Sequence, residues 1–416
     1  MREGAERVIY HVDCNGFYAA CECLEHPEWA EVPMAVAGNP EDRCGIILAK
    51  NERAKAYGVQ TAETIYQAQK KCPNLLLVPP HHDRYAAVSR QVKSLFAEYT
   101  DQVESFGLDE AWLDVTGSLR YFQATPAQLA NIIRERVKRE IGITVSVGVS
   151  FNKVFAKLGS DLKKPDGTTL ITRGNYQQRV WPLPVGALLF VGRNAAEHLR
   201  RYGIRTIGDI ARCSPEFLER ALGKGGGHLW ACANGLDDSP VRRIDEREPA
   251  KSIGNGMTFK RDLVGWEEWK AGIVALSDEV ASRLREEGMR CQTVQLSIRN
   301  PQMKVITRQC HLTTPIRLQT ELVEVCMQLL RAHWQETAPV RALTITAQQL
   351  LPDTENTQEQ LLRSQTEKHK LDRLEHMEKA MQHLRGKYGR GCIAMGYVEY
   401  PEIGLHQPGR KDENLL

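Results

Sequence analysis

A multidomain α+β protein is what this sequence predicts, and three observations carry the expectation. The 416 residues exceed what one core organises, at roughly 100 to 200 residues per domain. Short β-rich runs alternate with amphipathic helical runs up to Arg173, and again after Lys251. Between those stretches the strand pattern disappears and glycine-punctuated helices take over.

Taken in order, Val8 to Val12, Met34 to Ala37, Gly45 to Ala49, Leu75 to Val78, Gln102 to Phe106, Ala111 to Val115, Thr144 to Val149 and Thr168 to Ile171 read as strands. Helices are expected near Gly16 to Leu24, Ala62 to Lys71, Tyr85 to Tyr99, Pro126 to Glu140 and Lys153 to Leu162. The segment Glu104 to Glu110 reads as a hairpin with acids near its turn. From Gly174 to Pro240, short helices are expected to break at Gly203, Gly223 and the run Gly225 to Gly227. Val241 to Ala250 is charged, has no apolar period and reads as a linker. Residues 251 to 352 show a β-α-β-β-α-β order, with helices at Glu267 to Glu287 and Thr320 to His333. The remainder, 353 to 416, is a polar tail with one helix from Gln365 to Lys387.

Composition narrows the class without naming a function. Hydrophobic residues make up 42% and charged residues 26%, which excludes disorder, collagen-like repeats and coiled coil for the whole. Lys plus Arg exceed Asp plus Glu by 55 − 52 = 3, so any polyanionic partner must be met by local patches. No apolar run approaches the length of a membrane span, and no signal segment precedes Val8, so a cytoplasmic protein is expected. Eleven scattered cysteines without a CxxC pair then read as reduced thiols.

Three acids stand where chemistry is feasible. Asp13 follows an apolar strand directly, and Asp109 and Glu110 sit between two β runs. Carboxylates at strand ends suit hard divalent cations, and a bridging carboxylate between two ions is the arrangement of in-line phosphoryl transfer. An Asp closing a turn beside a surface Glu is the other reading, and spacing does not separate the two. Lys55 and Lys164 could face phosphates or simply be solvated. Between Glu287 and Glu321 there is no acid, while Arg290, Arg299, Lys304, Arg308, His311 and Arg317 lie along or beside two strands. That pattern predicts a positive sheet face suited to a phosphate backbone. Gly192 and Arg193 open a helix whose N-terminus could approach a phosphate.

Together these motifs resemble the Y-family translesion DNA polymerases, nearest their DNA polymerase IV branch. The segments concerned are His11 to Ala19, Phe106 to Thr116, Asn152 to Lys157 and Lys164 to Gly167, with matching order and spacing across Val8 to Pro352. The resemblance implies a right-hand polymerase: a ferredoxin-like palm with short fingers in 1 to 173 (fingers about 28 to 82), and a helix-hairpin-helix thumb in 174 to 240. A linker follows in 241 to 250, and a β-α-β-β-α-β little finger in 251 to 352. It implies Asp13, Asp109 and Glu110 as catalytic metal ligands, with the carbonyl of Cys14 as a further one. Two Mg²⁺ ions are expected, with Mn²⁺ able to substitute. Phe17, Tyr18, Lys55 and Lys164 would contact the incoming dNTP, Tyr18 as the aromatic that excludes a 2′-hydroxyl. Primer-template DNA would meet Gly192, Arg193, Arg299, Lys304 and Arg308.

Some positions depart from the family pattern. Asn15 replaces a common Asp, Glu52 a common Tyr, Lys55 a common Arg, and Phe190-Val191-Gly192 a common Gly-x-Gly. Gln349 to Pro352 and Gln358 to Leu362 resemble peptides by which such polymerases dock on a sliding clamp, although each lacks the terminal aromatic. A non-catalytic DNA-binding scaffold and a nucleotide cyclase are the competing functions. The first should be indifferent to loss of Asp13, and the second needs no basic sheet.

Overall fold

The computed structural model describes residues 6–39, 43, 45–246, 248–353, 365–389, 392–393 and 400–405. Apart from Glu41–Cys44, which group with the second, the chain divides into one compact unit up to Arg247 and another from Glu248.

The first unit is organised by a five-stranded sheet in the order β5-β6-β1-β7-β8: β1 (Ile9–Cys14), β5 (Val103–Ser105), β6 (Glu110–Asp114), β7 (Val145–Ser150) and β8 (Thr168–Leu170). Neighbours are antiparallel except β7 and β8. Strand periodicity sorts the side chains. Tyr10, Val12, Ala111 and Leu113 enter a core with α1 (Phe17–Glu25), α4 (His82–Ala97) and α6 (Pro126–Glu140). His11, Asp13, Glu110 and Trp112 take the opposite face, where α7 (Lys153–Leu162) lies against β7 and β1. The approach of α7 requires a glycine in the strand. A Cβ on Gly148 would stand 1.9 Å from the Ala156 carbonyl oxygen.

A separate small core joins the sheet β3-β2-β4, made of β2 (Met34–Ala37), β3 (Ile47–Lys50) and β4 (Leu76–Val78), to α2 (Glu52–Ala56) and α3 (Ile65–Lys71). Thr64 and Gln67 form a capping box that starts α3. Helix α2 went unpredicted because five residues are too few to show a period; Asn51 caps it by accepting from Ala54 N at 2.9 Å. A short helix α5 (Leu119–Phe122) precedes α6.

The helical stretch contains α8 (Tyr176–Val180), α9 (Arg193–Arg201), α10 (Ile207–Arg212), α11 (Pro215–Leu222) and α12 (Gly225–Ala233). One expectation is corrected here. The Gly225 to Gly227 run starts α12 instead of breaking a helix, because α11 crosses it so closely that a Cβ on Gly226 would meet the Leu218 carbonyl at 2.1 Å. The expected linker is also no free spacer at its start. Val241 is buried against Ile9 and Trp112, and the Arg242 backbone N–H donates to Glu104 at 3.0 Å.

In the second unit, β9 (Ser252–Leu263), α13 (Trp266–Glu286), β10 (Met289–Arg299), β11 (Val305–Ile316), α14 (Gln319–His333) and β12 (Val340–Pro352) follow the expected order. Their antiparallel sheet runs β11-β10-β12-β9, with α13 and α14 covering one face. Helix α15 (Gln365–Tyr388) is tied to this unit by ion pairs: Arg285 to Glu378, Arg317 to Glu375 and Arg385 to Asp278. Residues 400–405 then lie along β9, adding Ile403 and Leu405 to its core. Among the described residues every cysteine is free, and no helix is long and apolar enough to cross a membrane.

Candidate active site

Asp13 and Glu110 are direct cross-strand neighbours on the α7 face of the sheet. Asp109 precedes Glu110 at the hairpin, and its carbonyl accepts from Cys14 N at 3.0 Å, so the three acids are drawn to one end of the sheet. Helix α4 holds the turn from outside: Ser89 donates to the Leu108 carbonyl at 2.5 Å and Lys93 to the Gly107 carbonyl at 2.6 Å. The Cys14 thiol is buried, which leaves its backbone as the part able to serve a ligand.

Two lysines reach the acids, and only one was expected. Lys164 Nζ lies 2.7 Å from Asp13 and 2.9 Å from Asp161. Lys157, one helical turn from Lys153 on α7, lies 2.8 Å from Glu110 and 3.6 Å from Asp13. His11, fully buried, stands 3.3 Å from Glu110, and its Nδ1 is 2.9 Å from Ser160 Oγ. Neither Lys157 nor His11 received a role from the sequence; alternation along β1 and the (i, i+4) spacing from Lys153 would have put both on this face. Asn15 is explained as well. Its amide donates to Ser146 Oγ and accepts from Asp166 N, each within 2.9 Å, bracing the turn that carries Lys164. An aspartate could not donate in this way.

The electrostatics are uneven. Burial pushes Asp13 up to about 6 against the pull of Lys164. Burial and the neighbouring Glu110 charge also raise Asp109. Glu110 goes the other way: burial acts to raise it, but His11 and Lys157 outweigh that and hold it at about 2. Burial pushes the His11 imidazole below its ordinary value.

No group of three His, Cys, Asp or Glu side chains among the described residues is gathered tightly enough to enclose a metal by itself. The donors nevertheless suit a hard divalent cation: they are carboxylate oxygens, and beyond burial the Glu110 charge helps to raise both Asp13 and Asp109. Glu110 Oε2 is buried and meets positive charge, with Lys157 Nζ 2.8 Å away, so this edge of the site already favours a cation.

On α1, Gly16 takes φ +53° and lets the chain turn out of β1, with a Cβ there only 2.8 Å from the Lys50 carbonyl. Tyr18 is half-buried and stacks on Tyr85, ring centroids 4.1 Å apart. The Phe17 ring is buried in the core, so this residue offers a nucleotide only its backbone. Lys55 is exposed and pairs with Glu52 at 3.2 Å, so the departure at residue 52 partly neutralises the departure at residue 55.

The proposed DNA-contacting residues fall in both units. In the first, Gly192 caps α9 with open space at its Cβ position, Arg193 begins the helix, and Phe190 is 61% exposed at φ +74°. In the second, the uncovered sheet face presents rows such as Arg299 with Val305 and Ala342, and Ser297 with Thr307 and Thr344. Apart from Thr307, these residues line a cavity of about 310 Å³ that also includes Gly256 and Thr258. The expected uniformly positive face is not what the register shows. Arg308 pairs with Leu296, a core residue, and so sits on the opposite face from Arg299. Arg290 and Arg317 are engaged by Asp353, and Arg317 also by Glu375. Lys304 is exposed in the β10–β11 turn. Gln349 to Pro352 belongs to β12 and pairs with β10, so it is no free peptide. The second candidate peptide, Gln358 to Leu362, lies outside the described residues.

The sequence model of the impB/mucB/samB family matches residues 12–161, and that of its C-terminal domain matches residues 250–362. The chain is 44% identical to a DNA polymerase IV of Acetivibrio thermocellus, covering 94% of this chain and 98% of that one. It is 36% identical to DNA polymerase IV of Clostridium kluyveri over the same shares, and 38% identical to DNA polymerase IV 2 of Bacillus subtilis over 84% and 85%. A solved Y-family DNA polymerase chimera of Dbh and Dpo4 aligns with a TM-score of 0.74 at 22% identity, covering 83% of this chain and 99% of that one.

Proposed function

The chain belongs to the impB/mucB/samB family and has the fold of a Y-family polymerase, and from that premise we propose that it is a DNA-templated DNA polymerase of the translesion type. The observation that carries the site is the juxtaposition of Asp13 and Glu110 across the β1–β6 ladder, with Asp109 fastened to Cys14. The reaction is attack of a primer 3′-hydroxyl on the α-phosphate of a dNTP. It depends on divalent metal, and Mg²⁺ is the ion proposed, two of them, with Mn²⁺ able to substitute. Held by Asp13, Asp109, Glu110 and the Cys14 carbonyl, the ions would make the hydroxyl more acidic and offset triphosphate charge.

The remaining work falls to the chain's own groups. Lys164 and Lys157, already turned to the carboxylates, are point charges within reach of phosphate oxygens. Lys55 supplies a weaker contact because Glu52 shares it. Tyr18 lies under the sugar and rejects a 2′-hydroxyl by bulk. Gly192, Arg193, Arg299, Lys304 and Arg308 would meet the primer-template, Arg308 from a different side of its sheet than Arg299. Within this proposal, residues 1–173 are palm and fingers, 174–240 thumb, 241–250 linker and 251–352 little finger. A sliding clamp would be met through 358–362, and the setting proposed is the cytoplasm.

Primer extension on an undamaged template with Mg²⁺ and dNTPs tests the proposal. Extension by the native protein, lost in Asp109→Ala, supports it. DNA binding without extension by the native protein supports the scaffold instead.

A further inference from the structure

Glu22 is a fully buried carboxylate one helical turn beyond Tyr18 on α1, and it does not touch the catalytic acids. Three donors converge on it. Tyr85 OH donates to Oε1, His81 Nδ1 lies 2.9 Å from the same oxygen, and Arg84 donates to Oε2 at 2.5 Å. All three come from the start of α4, where the helix dipole also favours a negative charge. Arg84 continues to Glu25 at 2.5 Å, so both carboxylates of α1 are tied to α4.

Tyr85 carries this anchorage inward. Its ring is fully buried and lies nearly parallel to the Tyr18 ring, 14° apart in plane at a centroid distance of 4.1 Å. His82 meets Tyr18 edge-on at 5.8 Å. One face and one edge of Tyr18 are thereby walled, and the wall is fixed by a hydrogen bond that ends on Glu22. A phenol buried without that acceptor would have to turn in search of another one.

We propose that Glu22 is a positioning residue for sugar discrimination: through Tyr85 it fixes the plane of Tyr18, and so sets how strongly a ribonucleotide is refused. This rests on the reading of Tyr18 as the group that excludes the 2′-hydroxyl. A ring free to tilt still occupies the position, but it yields to one extra oxygen. The distinction matters because an exclusion made by shape is only as strong as the stiffness of the wall.

The test measures kcat/KM for a dNTP and for the matching rNTP opposite one template base, with thermal unfolding of each variant alongside. Tyr18→Ala should abolish most of the discrimination. Tyr85→Phe, which deletes one oxygen and keeps the ring, and Glu22→Ala should each reduce it by about tenfold through a lower KM for the rNTP, while kcat for the dNTP stays within about twofold. Glu22→Gln, whose amide oxygen still accepts from Tyr85, should lie closer to native than Glu22→Ala. Should Glu22→Ala fail to fold, Tyr85→Phe decides. Native discrimination in Tyr85→Phe beside its loss in Tyr18→Ala overturns the role of Glu22. Unchanged discrimination in Tyr18→Ala overturns the reading of Tyr18 itself, and the inference falls with it.

Discussion

Asp13 and Glu110 face each other in register across two strands, yet the fold holds one carboxyl at about 6 and the other at about 2. The difference lies in their partners. Glu110 gains both His11 and Lys157, whereas burial of Asp13 outweighs Lys164.

A pH dependence follows, and the two acids contribute with opposite sign. Asp13 is raised from 3.8, so its share of stability is present below that value and is lost as pH climbs through about 6. Glu110 is lowered from 4.5, so its share is present above that value and is lost as pH falls towards about 2. With EDTA present, the melting temperature should decline between about pH 4 and pH 6, by an amount from Asp13 reflecting up to about 3 kcal/mol, and Asp13→Asn should reduce that decline to the share of Asp109, which is also raised. Mg²⁺ or Mn²⁺ at neutral pH should raise the melting temperature of the native protein and leave Asp13→Asn nearly unmoved.

Gly148→Ala should destabilise the first unit by more than about 3 kcal/mol in urea unfolding. The added carbon would lie 2.4 Å from Ser160 N as well as against the Ala156 carbonyl, so α7 must move. Lys157 and Ser160 travel with that helix, and whatever folds should extend primers poorly. Unchanged stability would mean that β7 and α7 are less closely packed than described.

The register of the second sheet separates two arginines that the sequence grouped. Arg299→Ala should weaken DNA binding and reduce the slope of log affinity against log salt by about one. Arg308→Ala, altering the other face, should change both less, as a salt titration by fluorescence anisotropy would show. Equal effects would mean that DNA wraps the edge strand β11.

Phe190 occupies a left-handed conformation that a bulky residue adopts only under strain. Phe190→Gly should leave the first unit as stable or more stable, by up to about 1 kcal/mol in thermal unfolding, since the relieved strain exceeds the added chain entropy. A clear loss of stability would show that the contact of the ring with His228, 5.2 Å away, outweighs the backbone cost.

Most strands and long helices were legible because each half-buried element repeats with its own period, and the three acids were legible because they end such runs. What escaped depended on contacts across the fold. Local periodicity could put Lys157 and His11 on the right face, but only the β1–β6 register and the α7 crossing bring them beside Glu110. The Gly225 to Gly227 run carries a turn signature, but a crossing helix needs the same absence of side chains. An acid-free segment suggested a positive face, yet Asp353 and Glu375, beyond that segment, claim two of its arginines. Phe17 and Tyr18 are adjacent aromatics, and only the helix geometry decides which one is buried.

The closing segment at Tyr400 to Leu405 sets a rule for exchanging parts between relatives. A graft that transplants only Lys251 to Pro352 would arrive without Ile403 and Leu405, exposing apolar surface beside β9, and without the carboxylates that Arg285 and Arg317 engage on α15. Two stranded guanidiniums and an unsealed sheet margin should make such a graft aggregate. The transferable module is therefore the β-α-β-β-α-β fold together with α15 and residues 400–405.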